Sequence, residues 1–326
     1  MITNFIFCTV GFVLLYYGAE WLVKGSSSLA KSLGITPVLI GLTIVAFGTS
    51  APELVVSIAS SIHGKSMIAV GNVVGSNICN IALVLGVTAI FQPIVCNSTI
   101  IRRDIPIMLG VSILLLIFSL NSQIGRIEGI VLFIGVIVYT IFNYYIIGLE
   151  SKKGITLVSE AYSSEINEIG IIAKRSHQLF FIIVGITGVV GGAQLVVDSA
   201  VKIMQVLGVN EKFIGLTIVA FGTSLPELAT SIVAAVKKEM DISIGNLVGS
   251  NVFNILSVLG ATAIIHPIVI PGGFFESGLI IDYLVMIFVS FLPLILMRKN
   301  YTMKRSGGLI LLCCYLGYLT YLIVII

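Results

Sequence analysis

The chain contains two copies of one block in which polar residues interrupt an apolar stretch, and this duplication constrains its fold more than any other feature. Residues 40–58 (IGLTIVAFGTSAPELVVSI) recur at 214–232 (IGLTIVAFGTSLPELATSI). At the same offset, 69–94 (AVGNVVGSNICNIALVLGVTAIFQPI) matches 243–268 (SIGNLVGSNVFNILSVLGATAIIHPI). A register held across two separate blocks indicates that the chain consists of two copies of one structural unit.

The composition places both copies in a lipid bilayer. Of the 326 residues, 57% are hydrophobic and only 10% are charged, and the mean hydropathy is +1.13. A helix needs about 20 mostly apolar residues to cross a bilayer. Ten runs meet that length, so we predict an all-α integral membrane protein with ten transmembrane helices. They lie at 4–31, 36–61, 67–91, 105–120, 127–148, 177–204, 211–236, 241–265, 279–297 and 307–326.

Each copy contains an odd number of spans, and this number sets the relation between the copies. Residues 1–148 form a first five-helix repeat with its motif at 40–94, and residues 177–326 form a second with its motif at 214–268. After five crossings the chain enters the membrane from the opposite side, so the repeats must be inverted. Inverted repeats are typical of transporters with ion sites near the bilayer midplane.

The distribution of basic residues predicts the orientation of the chain. Most of the 18 Lys and Arg residues fall on one side, and only Lys65, Arg126, Lys202 and Lys212 fall on the other. Because the cytoplasmic side is enriched in Lys and Arg, we expect both termini outside. Residues 149–176, which carry charges of both signs, then form a cytoplasmic linker.

One carboxylate stands near the middle of the second span and one near the middle of the seventh. Glu53 and Glu227 occur in GTSAPE and GTSLPE. A charged side chain at this depth costs roughly 3 kcal/mol on insertion scales, so it usually faces a cavity or a partner. Pro52 and Pro226 lack the N–H that a helix needs, so we predict that helices 2 and 7 are discontinuous.

Further oxygen-bearing side chains share the faces of these glutamates or follow in the next span. Helical spacing places Thr49 and Ser50 beside Glu53, and Thr223 and Ser224 beside Glu227. The next spans add GSNICN and GSNVFN, which contain the polar residues Ser76, Asn77, Asn80, Ser250, Asn251 and Asn254. Hard oxygen ligands of this kind suit Ca²⁺ or Na⁺.

The charge of the two glutamates suggests how transport would be coupled. Their two negative charges are neutralised by one Ca²⁺, two Na⁺ or two protons, so these ions compete for one site. An empty, doubly charged site resists crossing the membrane, and this penalty makes exchange obligatory. Glu20, Lys24 and Asp198 lie near span ends, and we interpret them as side chains that snorkel to the interface.

With these motifs, the sequence resembles the cation/Ca²⁺ exchanger superfamily, and most closely its prokaryotic sodium/calcium exchanger branch. The resemblance covers nearly the whole chain and rests on the paired GTS-x-PE and GSN-x-x-N motifs. It implies a core of spans two, three, seven and eight, with spans one and six sliding across it.

The resemblance also implies the role of individual residues. Glu53 and Glu227 would be the central Ca²⁺ ligands, with the carbonyls of Thr49 and Thr223. Asn80 would lie beside the centre, and Asn254 stands where some members carry Asp, which argues against potassium co-transport. The flanking Na⁺ sites would use Ala46, Ser50, Ser76, Ala220, Ser224 and Ser250.

We therefore predict a Na⁺/Ca²⁺ antiporter that works by alternating access, as a monomer in a prokaryotic cell membrane. It is not expected to be an enzyme, to need a cofactor or to bind nucleic acid. An H⁺/Ca²⁺ antiporter on the same fold is the main alternative, and a cation channel is a second. An intramembrane hydrolase is disfavoured because no HExxH or GxSxG pattern occurs.

Overall fold

The fold is built of helices of very different lengths. The computed structural model describes residues 2–152, 172–207 and 220–325. In chain order its helices are α1 Ile2–Leu33, α2 Pro37–Thr49, α3 Ala51–Ile62, α4 Ser66–Phe91, α5 Ile105–Ser119, α6 Arg126–Lys152, α7 Arg175–Val206, α8 Ala220–Thr223, α9 Leu225–Val236, α10 Met240–Ile265, α11 Leu279–Leu296 and α12 Arg305–Ile325.

Within the described residues, four two-residue strands form two small antiparallel sheets. The strands are β1 Ile94–Val95, β2 Gln123–Ile124, β3 Ile268–Val269 and β4 Thr302–Met303. β1 pairs with β4 and β2 pairs with β3, so each sheet takes one strand from each half of the chain. These sheets connect the two halves at the ends of α4 and α10.

The lengths of the helices agree only in part with the prediction of ten spans. Within the described residues, seven helices are long and apolar enough to cross a membrane, and the bent pair α2–α3 makes an eighth if it is counted as one span. α5 and α9 are apolar but shorter. α6 continues to Lys152, into the first residues of the predicted linker.

Some predicted features fall outside the described residues. Most of the linker at 149–176 is among them, as are residues 211–219 of the seventh predicted span, including Lys212. The motif at 214–268 is described only from residue 220 onwards.

Within the described residues, four π-helical segments occur, which the sequence analysis did not predict. They lie at Gly41–Val45 in α2, Cys79–Leu85 in α4, Ile100–Asp104 directly before α5 and Asn254–Leu259 in α10. A π-turn inserts an extra residue into the helical register, and such turns are frequent at functional sites. Those of α4 and α10 include Asn80 and Asn254, so they change the direction in which these amides point.

A close antiparallel crossing joins α1 to α7. A Cβ atom added to Gly11 would lie 2.9 Å from the carbonyl oxygen of Gly192, and one added to Gly18 would lie 3.1 Å from that of Gly185. Small residues permit this approach, as is common between membrane helices. The crossing makes α1 and α7 one packed pair, in which α1 contacts α2 and α9 and α7 contacts α8 and α9.

Candidate functional site

Two helix breaks place the predicted carboxylates at helix N-termini. α2 ends at Thr49 and α3 begins at Ala51, with a bend of 43° between them. Ser50 lies at the break with φ −82° and ψ 7°. Pro52 occupies the first turn of α3, where its missing N–H costs no helical hydrogen bond. Glu53 follows in the same turn, where the helix dipole favours a negative charge.

The second half repeats this arrangement. We call residues i and i + 174 twins, since this is the separation of Asn77 and Asn251, which occupy equivalent positions. Ser224, the twin of Ser50, separates α8 from α9 with φ −88° and ψ 2°. Pro226 and Glu227 then occupy the first turn of α9. The breaks at the GTS-x-PE motifs therefore occur where proline chemistry predicts them.

The broken helix of the first half packs against α10 of the second half. A Cβ atom added to Gly249 would lie 2.7 Å from the carbonyl oxygen of Leu42, and one added to Gly41 would lie 2.9 Å from that of Ile242. The glycines therefore allow α2 to lie directly on α10. This contact brings the end of α2 to the polar residues of the GNLVGSN segment.

Each glutamate lies in a hydrogen-bonded cluster that contains residues of both halves, and both glutamates are completely buried. Ser50 donates to Oε1 of Glu227 at 3.4 Å, although it lies three residues before Glu53. Ser250 donates to the same oxygen at 3.3 Å. Ser76 donates to Oε1 of Glu53 at 3.4 Å. Since Ser50 adjoins one glutamate in sequence and contacts the other in space, the two halves meet at the carboxylates.

The threonines of the two breaks connect the halves further. The hydroxyl of Thr49 donates to Oδ1 of Asn246 at 3.1 Å and lies 3.4 Å from that of Ser250. Its twin Thr223 donates to Oδ1 of Asn72 at 3.4 Å and lies 3.5 Å from the hydroxyl of Ser76. Both threonine contacts therefore have a twin in the other half, whereas the hydroxyl of Ser224, the twin of Ser50, has no hydrogen-bond partner among the described residues.

Four asparagines form a reciprocal clasp below the glutamates. Asn77 donates to the backbone carbonyl of Asn251 at 3.2 Å, and Asn251 donates to that of Asn77 at the same distance. Asn80 donates to Oδ1 of Asn251, and Asn254 to Oδ1 of Asn77, each at 3.0 Å. All four side chains are buried, so the clasp fixes α4 against α10.

Several oxygen atoms of this cluster are buried without a hydrogen-bond partner among the described residues. They are Oε2 of Glu53, Oε2 of Glu227, Oγ of Ser224, Oδ1 of Asn80 and Oδ1 of Asn254. Leaving a buried acceptor unpaired costs about 1–3 kcal/mol, and more when it is charged. Carboxylate and amide oxygens that lack a donor are suited to binding a cation. We refer to the glutamates and the serines, threonines and asparagines around them as the oxygen cage.

Most of the predicted site residues lie in the oxygen cage. The hydrogen bonds place them in three groups: Thr49, Ser50 and Ser250 with Glu227, Ser76 and Thr223 with Glu53, and Asn80 and Asn254 with the other two asparagines. Ser224 is fully buried at its helix break. The carbonyl of Ala46 accepts hydrogen bonds from the backbone of Ser50 and the hydroxyl of Thr49. Ala220 begins α8, but its side chain lies outside the described part of the chain.

Two cage residues were missed by the sequence analysis. Asn72 and Asn246 accept hydrogen bonds from the break threonines, and Asn72 also donates to the backbone carbonyl of Glu53 at 3.3 Å. A signal was present, because they are twins inside the matched blocks. They lie four residues before Ser76 and Ser250, on the same helix face.

The chain matches the family model described as sodium/calcium exchanger protein over residues 3–145 and 177–324. It is 38% identical over 320 residues to a putative antiporter, CaxA, of Alkalimonas amylolytica, covering 98% of each chain. It is 33% identical over 351 residues to the sodium/calcium exchanger MaX1 of Methanosarcina acetivorans, covering 99% of each.

The structure is similar to solved structures of the sodium-calcium exchanger NCX_Mj. One, soaked with 2.5 mM Na⁺ and 0.1 mM Ca²⁺, has a TM-score of 0.80 at 30% sequence identity and covers 98% of each chain. Another, soaked with neither ion, has a TM-score of 0.81 at 32% identity and covers 98% of this chain and 99% of the other. The chain therefore belongs to the sodium/calcium exchanger protein family, whose members are membrane transporters.

Proposed function

We propose that this chain is a secondary antiporter that exchanges Na⁺ for Ca²⁺ across a membrane and binds both ions in the oxygen cage. The observation that carries the proposal is the pair of buried glutamates whose surroundings are shared between the two halves. Ser50 of the first half contacts Glu227 of the second, while Oε2 of each glutamate has no partner among the described residues. The sodium/calcium exchanger MaX1 and NCX_Mj are named for the same exchange.

The chemistry of the oxygen cage supports Ca²⁺ and Na⁺ as its substrates. The cage offers carboxylate, hydroxyl and amide oxygens, which are the ligands that these ions prefer. Glu53 and Glu227 would contact Ca²⁺ directly, together with the carbonyls of Thr49 and Thr223. The Na⁺ ions would bind beside them, near Ala46, Ala220 and the serines at 50, 76, 224 and 250.

The architecture of this antiporter is proposed to be ten transmembrane helices in two inverted repeats, at 1–148 and 177–326, joined by a cytoplasmic linker at 149–176. The antiparallel crossing of the twin helices α1 and α7 supports inversion, because Gly11 meets Gly192 while Gly18 meets Gly185. The reciprocal hydrogen bonds of Asn77 and Asn251 support a twofold relation. We place the monomeric protein in a prokaryotic cell membrane with both termini outside.

The coupling follows from the charge of the oxygen cage. Either one Ca²⁺ or two Na⁺ neutralise two ionised glutamates, while an unoccupied cage would carry two buried negative charges through the membrane. The high cost of that step opposes movement without an ion. Alternating access then requires α1 and α7 to move across the central helices, and only a filled cage allows it.

Ion replacement in proteoliposomes tests this function. Purified protein is reconstituted, and uptake of radioactive Ca²⁺ is measured with Na⁺, K⁺ and H⁺ gradients imposed separately. We expect Ca²⁺ uptake only when the Na⁺ concentration is higher inside the vesicles than outside, so that Na⁺ leaves as Ca²⁺ enters. Uptake driven by a pH gradient alone would identify an H⁺/Ca²⁺ antiporter, and rapid uptake without any counter-ion would identify a channel. Either of these results would overturn the proposal.

A further inference from the structure

A groove leads from the surface of α7 to the oxygen cage. It encloses about 580 Å³ and runs between α7, the first helix break and α8. Thr223, a cage residue, lines its inner end, and Gln194 and Asp198 line its outer wall. Both of these polar side chains are exposed. In this conformer the cage can therefore be reached along α7.

The twin position on the α1 side is closed. Pro52 and Val197 line the groove and are half-buried. Their twins, Pro226 and Val23, are buried, with Val23 only 1% exposed. Equivalent helices therefore line an open groove on the α7 side and pack closely on the α1 side. An exchanger that opens its site to each side of the membrane in turn must close the groove along α7 and open the α1 side.

Two polar contacts tie α1 to the turn between α9 and α10, on the closed side. Lys237 donates to Oε1 of Glu20 at 2.6 Å, and both side chains are about one-third exposed. Ser27 donates to Oε1 of Glu239 at 2.5 Å, and both of these residues are buried. Glu20 and Ser27 are seven residues apart, so they lie two helical turns apart on one face of α1.

The surroundings of Lys237 and Glu239 change the pKa values of both side chains. The hydrogen bond to Glu20 raises the pKa of the Lys237 amine. Burial raises the pKa of the Glu239 carboxyl, and the hydrogen bond from Ser27 and the charge of Lys31 offset part of that rise.

The α7 side lacks the residues to form the same contacts. The twins of Glu20 and Ser27 are Gln194 and Val201, and the twins of Lys237 and Glu239 are His63 and Lys65. Gln194 donates to Asp198 on its own helix, the ring of His63 contacts the carbonyl of Ala59, and Val201 has no polar atom in its side chain. The two halves therefore differ chemically at this point, although their cages are nearly identical.

A tie on α1 also acts on α7, because the glycine crossing joins the two helices closely. A Cβ atom on Gly25 would lie 2.9 Å from the carbonyl oxygen of Gln178, and one on Gly192 would lie 2.8 Å from that of Gly11. Backbones in such close contact cannot shift independently without losing this packing. Holding α1 against the core therefore also holds α7 in the position that leaves the groove open.

We propose that the Glu20–Lys237 ion pair and the Ser27–Glu239 hydrogen bond form a latch that holds the exchanger in the conformer with the groove along α7 open. The latch must release before α1 and α7 can move and open the cage on the other side. This inference rests on the proposed alternating-access function, and it identifies the residues that set the balance between its two conformers.

The reactivity of a cysteine placed in the groove measures how often the exchanger is in the conformer with the groove open. Gln194→Cys is introduced, and its modification by a membrane-impermeant, positively charged thiol reagent is timed by mass spectrometry of the peptide that contains residue 194. This readout is independent of the native cysteines and of any ion flux. The rate is compared in the reporter alone and in the reporter carrying Lys237→Gln, Glu20→Gln or Ser27→Ala.

We expect Lys237→Gln and Glu20→Gln to slow modification by about two- to fivefold, since partly exposed ion pairs contribute factors of this size, and Ser27→Ala to slow it as well. The reversed pair, Glu20→Lys with Lys237→Glu, should restore much of the parent rate. Lys238→Gln is the matched control, because it removes the same charge from the neighbouring residue, and it should leave the rate unchanged. Calcium binding by each purified variant, measured by calorimetry, checks that the oxygen cage is intact.

Modification of the Lys237→Gln variant at the parent rate would overturn the latch, and so would equal slowing by Lys238→Gln. The two proposals fail separately. If the parent shows no Na⁺-dependent Ca²⁺ flux but the latch substitutions still slow modification, then the latch stands and the transport function is wrong. If flux is normal but modification does not depend on the latch residues, then the transport function stands and the latch is wrong.

Discussion

At the level of single side chains, the oxygen cage combines duplicated contacts with hydrogen bonds that cross between the halves. Ser76 and Ser250 each bind the glutamate of their own half, whereas Ser50 contacts the glutamate of the other half. Thr49 and Thr223 likewise reach asparagines of the opposite half. Because neither half completes a cage alone, loss of a glutamate from either one should disable the whole site.

Glu53→Gln and Glu227→Gln should each reduce Na⁺-dependent Ca²⁺ uptake to background while the protein still assembles. The amide keeps the size of the side chain but removes one of two negative charges and one carboxylate ligand for the ion. Uptake of radioactive Ca²⁺ in proteoliposomes measures the loss, and size-exclusion chromatography checks assembly. Glu276→Gln, at an exposed loop position, is the matched control and should transport normally. Normal uptake by either cage variant would show that the site is assigned wrongly.

At the level of secondary-structure elements, glycines determine which helix faces can pack closely against each other. α1 crosses α7 through Gly18, where an added Cβ would lie 2.6 Å from the backbone nitrogen of Val189. Gly191 on α7 has nothing within 4 Å of such an atom and is exposed. Replacing each of these two glycines with alanine therefore tests how closely α1 and α7 pack, with Gly191 as the control.

Gly18→Ala should destabilise the protein by about 1–3 kcal/mol, because the new methyl group meets backbone atoms that cannot rotate away. Gly191→Ala should be neutral or slightly stabilising, since alanine favours a helix over glycine by about 1 kcal/mol. The two variants are heated in detergent, and the melting temperature of each is measured from the loss of its monodisperse peak in size-exclusion chromatography. Equal melting temperatures would mean that the α1–α7 crossing is looser than the structure indicates.

At the level of the whole molecule, the relation between the halves determines how one site can face two sides. Lys65 precedes α4, and Lys238 precedes its twin helix α10 by a similar distance. Inverted repeats would place these two lysines on opposite membrane surfaces. A parallel duplication would place them on the same surface.

Cysteines introduced separately as Lys65→Cys and Lys238→Cys should react with an impermeant thiol reagent from opposite sides of sealed vesicles. The proposed orientation predicts that residue 65 reacts from outside and residue 238 only after the vesicles are permeabilised. Mass spectrometry of the modified peptides provides the readout, and full modification of both in detergent is the control. Reaction of both residues from one side would contradict the inverted topology.

Much of this protein follows from local chemistry that can be read along the chain. Lipid cannot hydrogen-bond to the backbone, so long apolar runs must form helices. Proline cannot donate a hydrogen bond, so the helices break beside Pro52 and Pro226. A carboxylate buried in such a run requires a partner or an ion, which identifies Glu53 and Glu227 as candidate site residues. These arguments need only neighbours in sequence, and the helix breaks and the burial of both glutamates agree with them.

Other features depend on residues that are brought together only by packing. The hydrogen bonds of Asn72 and Asn246 arise because α2 lies on α10 and α8 on α4, and no local pattern defines that pairing. The π-turns that include Asn80 and Asn254 were likewise not predicted from the sequence. The two halves repeat almost the same cage motifs, yet one side is tied shut through Glu20 and Lys237 and the other is open. A duplicated sequence predicts symmetry, whereas the choice of conformer comes from long-range contacts whose energies differ slightly between the halves.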